Sequence, residues 1–175
     1  MNKIHHSDFV AILAHIYQPK VYLELGLYDG ETFQKVRGVI SGTGSRCIGV
    51  DIKKPPIDGE IYVQTTDEFF KSFNEKVDMI FIDADHKYES VAKDLENSLK
   101  ILNKTGCIVL HDTDPDNDRL FDPSRCGDSY RIVNDLEQNA DLNLTTFPIC
   151  EAGLSIVTWK SSTRTHIRRE LRVNQ

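Results

Sequence analysis

The sequence predicts an α/β protein: a three-layer sandwich on a mostly parallel, seven-stranded sheet with one antiparallel strand in the edge region. Three observations predict it. Short apolar runs alternate with amphipathic stretches five times, which is the pattern of repeated βα units. Two further apolar runs, 142–149 and 153–159, then follow with no room for a helix between them, so one strand must run against the others. The 175 residues suffice for one domain with a substantial core, and neither internal repeats nor low-complexity segments interrupt it.

Each element follows from local chemistry. Ser7 is a candidate cap for a first helix within residues 1–20, with Phe9, Val10, Leu13, Ala14 and Tyr17 on one face and Pro19 ending it. VYLELG (21–26) reads as a strand and Gly30 to about Ile40 as a helix. CIGVDI (47–52) and IYVQT (61–65) are the next strands, separated by the loop KKPPIDG. Thr66 or Asp67 can cap a helix holding Phe69, Phe70 and Phe73. VDMIFID (77–83) is the most apolar run and is expected at the centre of the sheet. Tyr88 to Leu102 has helical spacing, with Val91, Leu95, Leu99 and Leu102 inward. CIVLHDT (107–113) is the fifth strand, and Ser129 to Gln138 the helix before the last two. Residues 114–128 lack periodicity and form a long loop at the C-terminal edge of the sheet, where ligands bind in open α/β folds. The basic tail 160–175 is expected to be a solvated end.

Composition excludes several classes of function. A net charge of −6 disfavours nucleic acid and anionic membrane surfaces as partners. No stretch approaches the roughly 20 apolar residues of a membrane helix, and MNKIHHSDFV lacks the apolar core of a signal peptide. The four cysteines have neither CxxC nor zinc-finger spacing and are expected as free thiols in a reducing cytoplasm.

Two groups of residues carry chemistry. In LELGLYDGET (23–32), Gly26 and Gly30 permit close backbone approach to a ligand. The spacing is not G-x-G-x-x-G, which argues against a dinucleotide, and Glu24 suits a cationic ligand better than a pyrophosphate. Asp51, at the tip of the second strand, is well placed for ribose hydroxyls. Thr66 and Asp67 fall where a third ligand contact would lie, although a helix cap explains them equally well. The second group is FIDADHKYE (81–89) with HDT (111–113). It gathers Asp83, Asp85, His86, His111 and Asp112 at the ends of adjacent strands. Desolvated carboxylates need water, partners or a metal. Oxygen donors suit Mg²⁺, Ca²⁺ or Mn²⁺, and imidazole shifts preference toward transition metals. His5 and His6 lie outside the alternation and are expected at the surface, and Arg119 and Arg125 are expected on a solvated loop.

The ordered set VYLELGLYDGET, CIGVDI, VDMIFIDADHKYE and GCIVLHDT resembles the class I S-adenosylmethionine (SAM)-dependent methyltransferases, over roughly residues 20–160. It is most similar to the small branch of sugar and antibiotic O-methyltransferases with metal-dependent catechol-type relatives. The resemblance implies a Rossmann-like fold and SAM as cofactor. Glu24, Gly26 and Gly30 would shape the methionine side, Asp51 would hold the ribose, and Thr66 or Asp67 would lie near the adenine. Asp83 would emerge beside the cofactor. It further implies O-methylation of a sugar, glycoside or related small-metabolite hydroxyl, assisted by Mg²⁺ or another divalent cation. Asp83 and Asp112 would be ligands and His86 the base. His111 stands where the family often has an acid, and is itself a candidate ligand. So little chain lies outside the fold that a homo-oligomer partner or the 114–128 loop would have to close the site. A metal-dependent hydrolase and a catalytically silent SAM-binding domain are the rival readings.

Overall fold

A computed structural model describes residues 3–160. The elements are α1 (His6–Tyr17), β1 (Val21–Leu25), α2 (Glu31–Ile40), β2 (Arg46–Asp51), β3 (Glu60–Val63), α3 (Thr66–Ser72) and β4 (Val77–Ile82). They continue with α4 (Tyr88–Ile101), β5 (Leu102–His111), α5 (Ile132–Gln138), β6 (Leu142–Phe147) and β7 (Leu154–Trp159). The sheet order is β3-β2-β1-β4-β5-β7-β6. Strands β1 to β5 are parallel, and β7 pairs antiparallel with both β5 and β6. The expected antiparallel strand is therefore one place in from the edge, and the apolar run 77–83 does form the central strand. The basic tail lies outside the described residues beyond Lys160.

Strand alternation divides the core in two. Leu23, Leu25, Ile80, Ile82, Ile108 and Leu110 face α3, α4 and α5, where Phe69, Leu95 and Leu136 meet them. Tyr22, Met79, Phe81, Cys107 and Val109 face α1 and α2, against Val10, Ala14, Phe33 and Val36. By the same parity Glu24, Asp83 and His111 fall on the α1/α2 face at the C-terminal end of the sheet. Among the described residues no helix is long and apolar enough to cross a membrane.

Several element ends differ from expectation for identifiable reasons. Helix α1 begins at His6, one residue before the expected cap. The Ser7 hydroxyl instead meets Glu31, Lys35 and His5, tying α1 to α2. Thr65, not Thr66 or Asp67, caps α3, in a reciprocal capping box with Glu68. Helix α4 stops at Ile101, and Leu102 turns extended to open β5 against Val77. Its first amide, Tyr88, is capped by Asp128 Oδ1 at 2.8 Å, forty residues away, while Asp85 accepts from Ser90 Oγ.

One buried carboxyl in this frame is only partly compensated. Asp94 on α4 is 3% exposed. Burial, with Asp67 and Asp85 nearby, raises its carboxyl to about 6, and a hydrogen bond from Thr66 only partly offsets this. The folded chain thus holds the proton to higher pH than the unfolded chain, where Asp titrates near 4. Its stabilising share is complete below about pH 4 and is lost as pH rises through about 6. Asp94→Asn should therefore stabilise the protein by about 2 kcal/mol at pH 7.5 and by almost nothing at pH 4. Urea unfolding at the two pH values checks this, and equal effects at both would refute it.

Candidate functional site

The C-terminal ends of β1, β2, β4 and β5 open into a cleft of about 1050 Å³. At its cofactor-like end, the Gly26 amide donates to the Val50 carbonyl at 2.9 Å, and the Asp83 amide donates to the Leu25 carbonyl at 2.8 Å. This locks the exits of three strands together. Gly26 has φ +87°, and the backbone of Asp83 and Ala84 fills the space a side chain would need. Asp51 Oδ2 accepts from the Leu27 and Tyr28 amides at 2.8 and 3.0 Å, and its Oδ1 accepts from the Lys53 amide at 2.8 Å. The carboxylate thus shapes the loop after Gly26 while itself lining the cleft. Glu24 forms part of the floor. It is 1% exposed and accepts from the Tyr22 hydroxyl at 2.5 Å. Burial raises its carboxyl well above the ordinary range, so the charge expected there is disfavoured.

The reactive end is built from β4 and β5. His111 Nδ1 lies 3.2 Å from Asp83 Oδ1 and 3.3 Å from Asp112 Oδ1, and Nε2 lies 3.2 Å from the Glu151 carbonyl oxygen. Both ring nitrogens face acceptors, which favours the doubly protonated ring. Burial alone would lower its pKa, but the two carboxylates prevail and raise it to about 9. For Asp83, burial favours the neutral acid, yet the facing His111, His6 and His86 hold it below its ordinary value. Burial pushes Asp112 up instead. Asp112 adopts φ +57° at the strand end. Its Oδ1 accepts from the Cys126 thiol at 3.2 Å, and its carbonyl accepts from the Ser129 hydroxyl at 3.2 Å. Tyr28 and Ala152, which also line the cleft, have φ of +50° and +56°. Left-handed backbone thus occurs at three non-glycine positions around one cleft.

His86 turns Nε2 toward both carboxylates, 3.5 Å from Asp112 Oδ2 and 3.9 Å from Asp83 Oδ1. One donor atom from each of Asp83, His86 and Asp112 falls within 4.8 Å of the others, a spacing that fits a metal ion. Of the expected ligands Asp83, His111 and Asp112, the two carboxylates face His86 Nε2, while both His111 nitrogens lie beside acceptors.

Glu24, Gly26, Asp51, Asp83, His86, His111 and Asp112 therefore share one cleft. Gly30, Thr66 and Asp67 do not border it. Gly30 is the left-handed N-cap of α2, and Asp67 pairs with Lys93 at 2.5 Å. His5 and His6, expected at the surface, line the cleft instead. The residues before α1 bond to the β6–β7 connection, with Ile4 N donating to the Ile149 carbonyl at 2.9 Å. His6 then packs against His111, with ring centroids 4.2 Å apart and the planes tilted by 47°. Burial and the His111 charge push its imidazole down to about 4. No signal in the linear sequence points to this, since α1 reaches the site only through tertiary packing.

This arrangement of sheet, turn and strand-end carboxylates is that of the class I methyltransferases. A family model described as a methyltransferase domain matches residues 23–113, more than half of the chain, which belongs to that family. Solved structures agree on the fold. The S-adenosylhomocysteine (SAH)-bound methyltransferase PaMTH1 of Podospora anserina aligns with TM-score 0.71 at 18% identity, over 89% of this chain and 78% of that one. The SAM-bound O-methyltransferase TomG of Streptomyces achromogenes, involved in tomaymycin synthesis, aligns at 0.69 and 15%, over 89% and 80%. The SAH-bound O-methyltransferase of Bacillus cereus aligns at 0.66 and 17%, over 89% and 80%. No curated protein matches the sequence.

Proposed function

We propose that this protein transfers the methyl group of SAM to a hydroxyl of a small metabolite, a sugar or glycoside being the class most in keeping with its motifs. The observation that carries this reading is the meeting of Asp83, His86, His111 and Asp112 in the same cleft as Gly26 and Asp51. The SAM methyl is already activated, so the protein has to bind the sulfonium, aim an oxygen at it and remove a proton. The methyl–sulfur bond breaks as the methyl–oxygen bond forms, and the hydroxyl proton leaves to a base or to water.

Gly26 lets the exits of β1 and β4 close against each other and so shapes the cofactor end, and Asp51 accepts hydrogen bonds from the ribose. Glu24 and Asp83 flank the space for the methionine end. Asp83, His86 and Asp112 would hold a divalent cation, which when bound lowers the pKa of a neighbouring hydroxyl. Gly30 supports the cofactor turn from behind, and Thr66 and Asp67 are left without a ligand role. Four unpaired cysteines fit a reducing cytoplasm.

Calorimetric titration with SAH, with and without Mg²⁺, tests the reading. Micromolar binding is expected, and absence of binding in both conditions would overturn it. Asp51→Ala should weaken SAH binding about 10- to 100-fold, the worth of charge-assisted hydrogen bonds. Equal affinity in that variant would remove the ribose role.

A further inference from the structure

We propose that His86 is a nitrogen ligand in this cleft rather than its base, and that the site selects a first-row transition ion over Mg²⁺. The inference rests on the methyltransferase reading only for its purpose; the donor set stands independently of it. His86 Nε2 faces Asp112 Oδ2 at 3.5 Å and Asp83 Oδ1 at 3.9 Å, aimed at both and hydrogen-bonded to neither. Ligands on a common ion with bonds of about 2.1 Å stand roughly 3.0 to 4.2 Å apart. The two separations from His86 Nε2 fall inside that interval.

The surroundings hold this geometry. The Asp128 amide donates to the His86 carbonyl at 3.1 Å, and Gly127, at φ +53°, lies so close to that carbonyl that a side chain there would strike it. Cys126 and His111 take Asp112 Oδ1, which leaves Oδ2 for the side facing His86. These contacts fix the backbone beneath the His86 ring and the carboxylate of Asp112, while Asp83 Oδ1 meets His111 Nδ1 at 3.2 Å. One imidazole with two carboxylates is a borderline donor set. Mg²⁺ prefers oxygen and keeps its water, whereas Co²⁺, Ni²⁺ and Zn²⁺ accept nitrogen readily.

The test titrates SAH-loaded protein, after chelation and dialysis, with Co²⁺ or Mg²⁺ alone, in wild type, His86→Ala and His86→Asp. His86 is on the cleft surface, and SAH affinity of each variant reports that the fold is intact. His86→Ala should weaken Co²⁺ at least about tenfold and alter its visible absorption, while changing Mg²⁺ less than about threefold. His86→Asp should narrow the gap between the two ions. Unchanged Co²⁺ affinity and absorption in His86→Ala, or parallel losses for both ions, would overturn the assignment. The cofactor reading is judged separately by SAH binding to the same wild-type samples.

Discussion

Gly26→Ala is expected to abolish measurable SAH binding and to lower stability by about 3 kcal/mol or more. The residue holds φ +87°, which costs a side-chain-bearing residue about 1–2 kcal/mol. The added Cβ would also meet the Asp83 carbonyl oxygen and lie 2.5 Å from Ala84 Cα. These are backbone atoms, so no rotamer change relieves the clash, and overpacking of this kind costs about 1–3 kcal/mol more. Gly26 cannot retreat either, because its amide is bonded to Val50 on the opposite side. The strand ends would have to part, and with them the walls of the cofactor end. Thermal unfolding should show a loss of about 10 °C. A variant that melts like wild type and binds SAH would show that close approach at Gly26 is dispensable. Gly44 is the contrast: its φ is +73°, but nothing lies near its missing Cβ, so the cost there is conformational only.

The same distinction separates what the sequence reveals from what it hides. Strand order and core faces follow from alternation, because parity along β1, β4 and β5 sends Leu23, Ile80 and Leu110 to one side and Tyr22, Met79 and Val109 to the other. Parity also places Glu24, Asp83 and His111 together. Motif spacing at strand ends therefore suffices to assemble Gly26, Asp51, Asp83 and Asp112 in one cleft. It fails where a contact spans elements with no local pattern. The Asp128 cap on α4 joins two loops forty residues apart. His6 enters through the docking of α1, and the chain before it reads as an ordinary polar start. The different surroundings of His86 and His111 have a similar origin. One follows β4 and the other ends β5, and only side-chain direction decides which one has its nitrogens beside Asp83, Asp112 and the Glu151 carbonyl.

That occupied ring makes the second strong expectation. His111→Ala should destabilise the protein by about 3–5 kcal/mol near pH 7 in the presence of a chelator, because it leaves two carboxylates facing each other without their shared cation. The pH dependence follows from the same contacts. The folded pKa of about 9 lies above the unfolded value of about 6.5, so the contribution is complete below about pH 6.5 and is lost as pH rises through 9. A shift of that size corresponds to about 3 kcal/mol, near the lower end of the first figure. The difference between wild type and His111→Ala should therefore shrink steadily from pH 6 to pH 10. Charge, rather than lost packing, is identified by a second substitution. Asp112→Asn removes one of the opposed carboxylates, so in the His111→Ala background it should raise stability by at least about 1 kcal/mol more than it does in the wild type. Additive losses in the double variant would mean that His111 acts as a packing ring against His6 and Phe81, and that its bridge between the carboxylates contributes little.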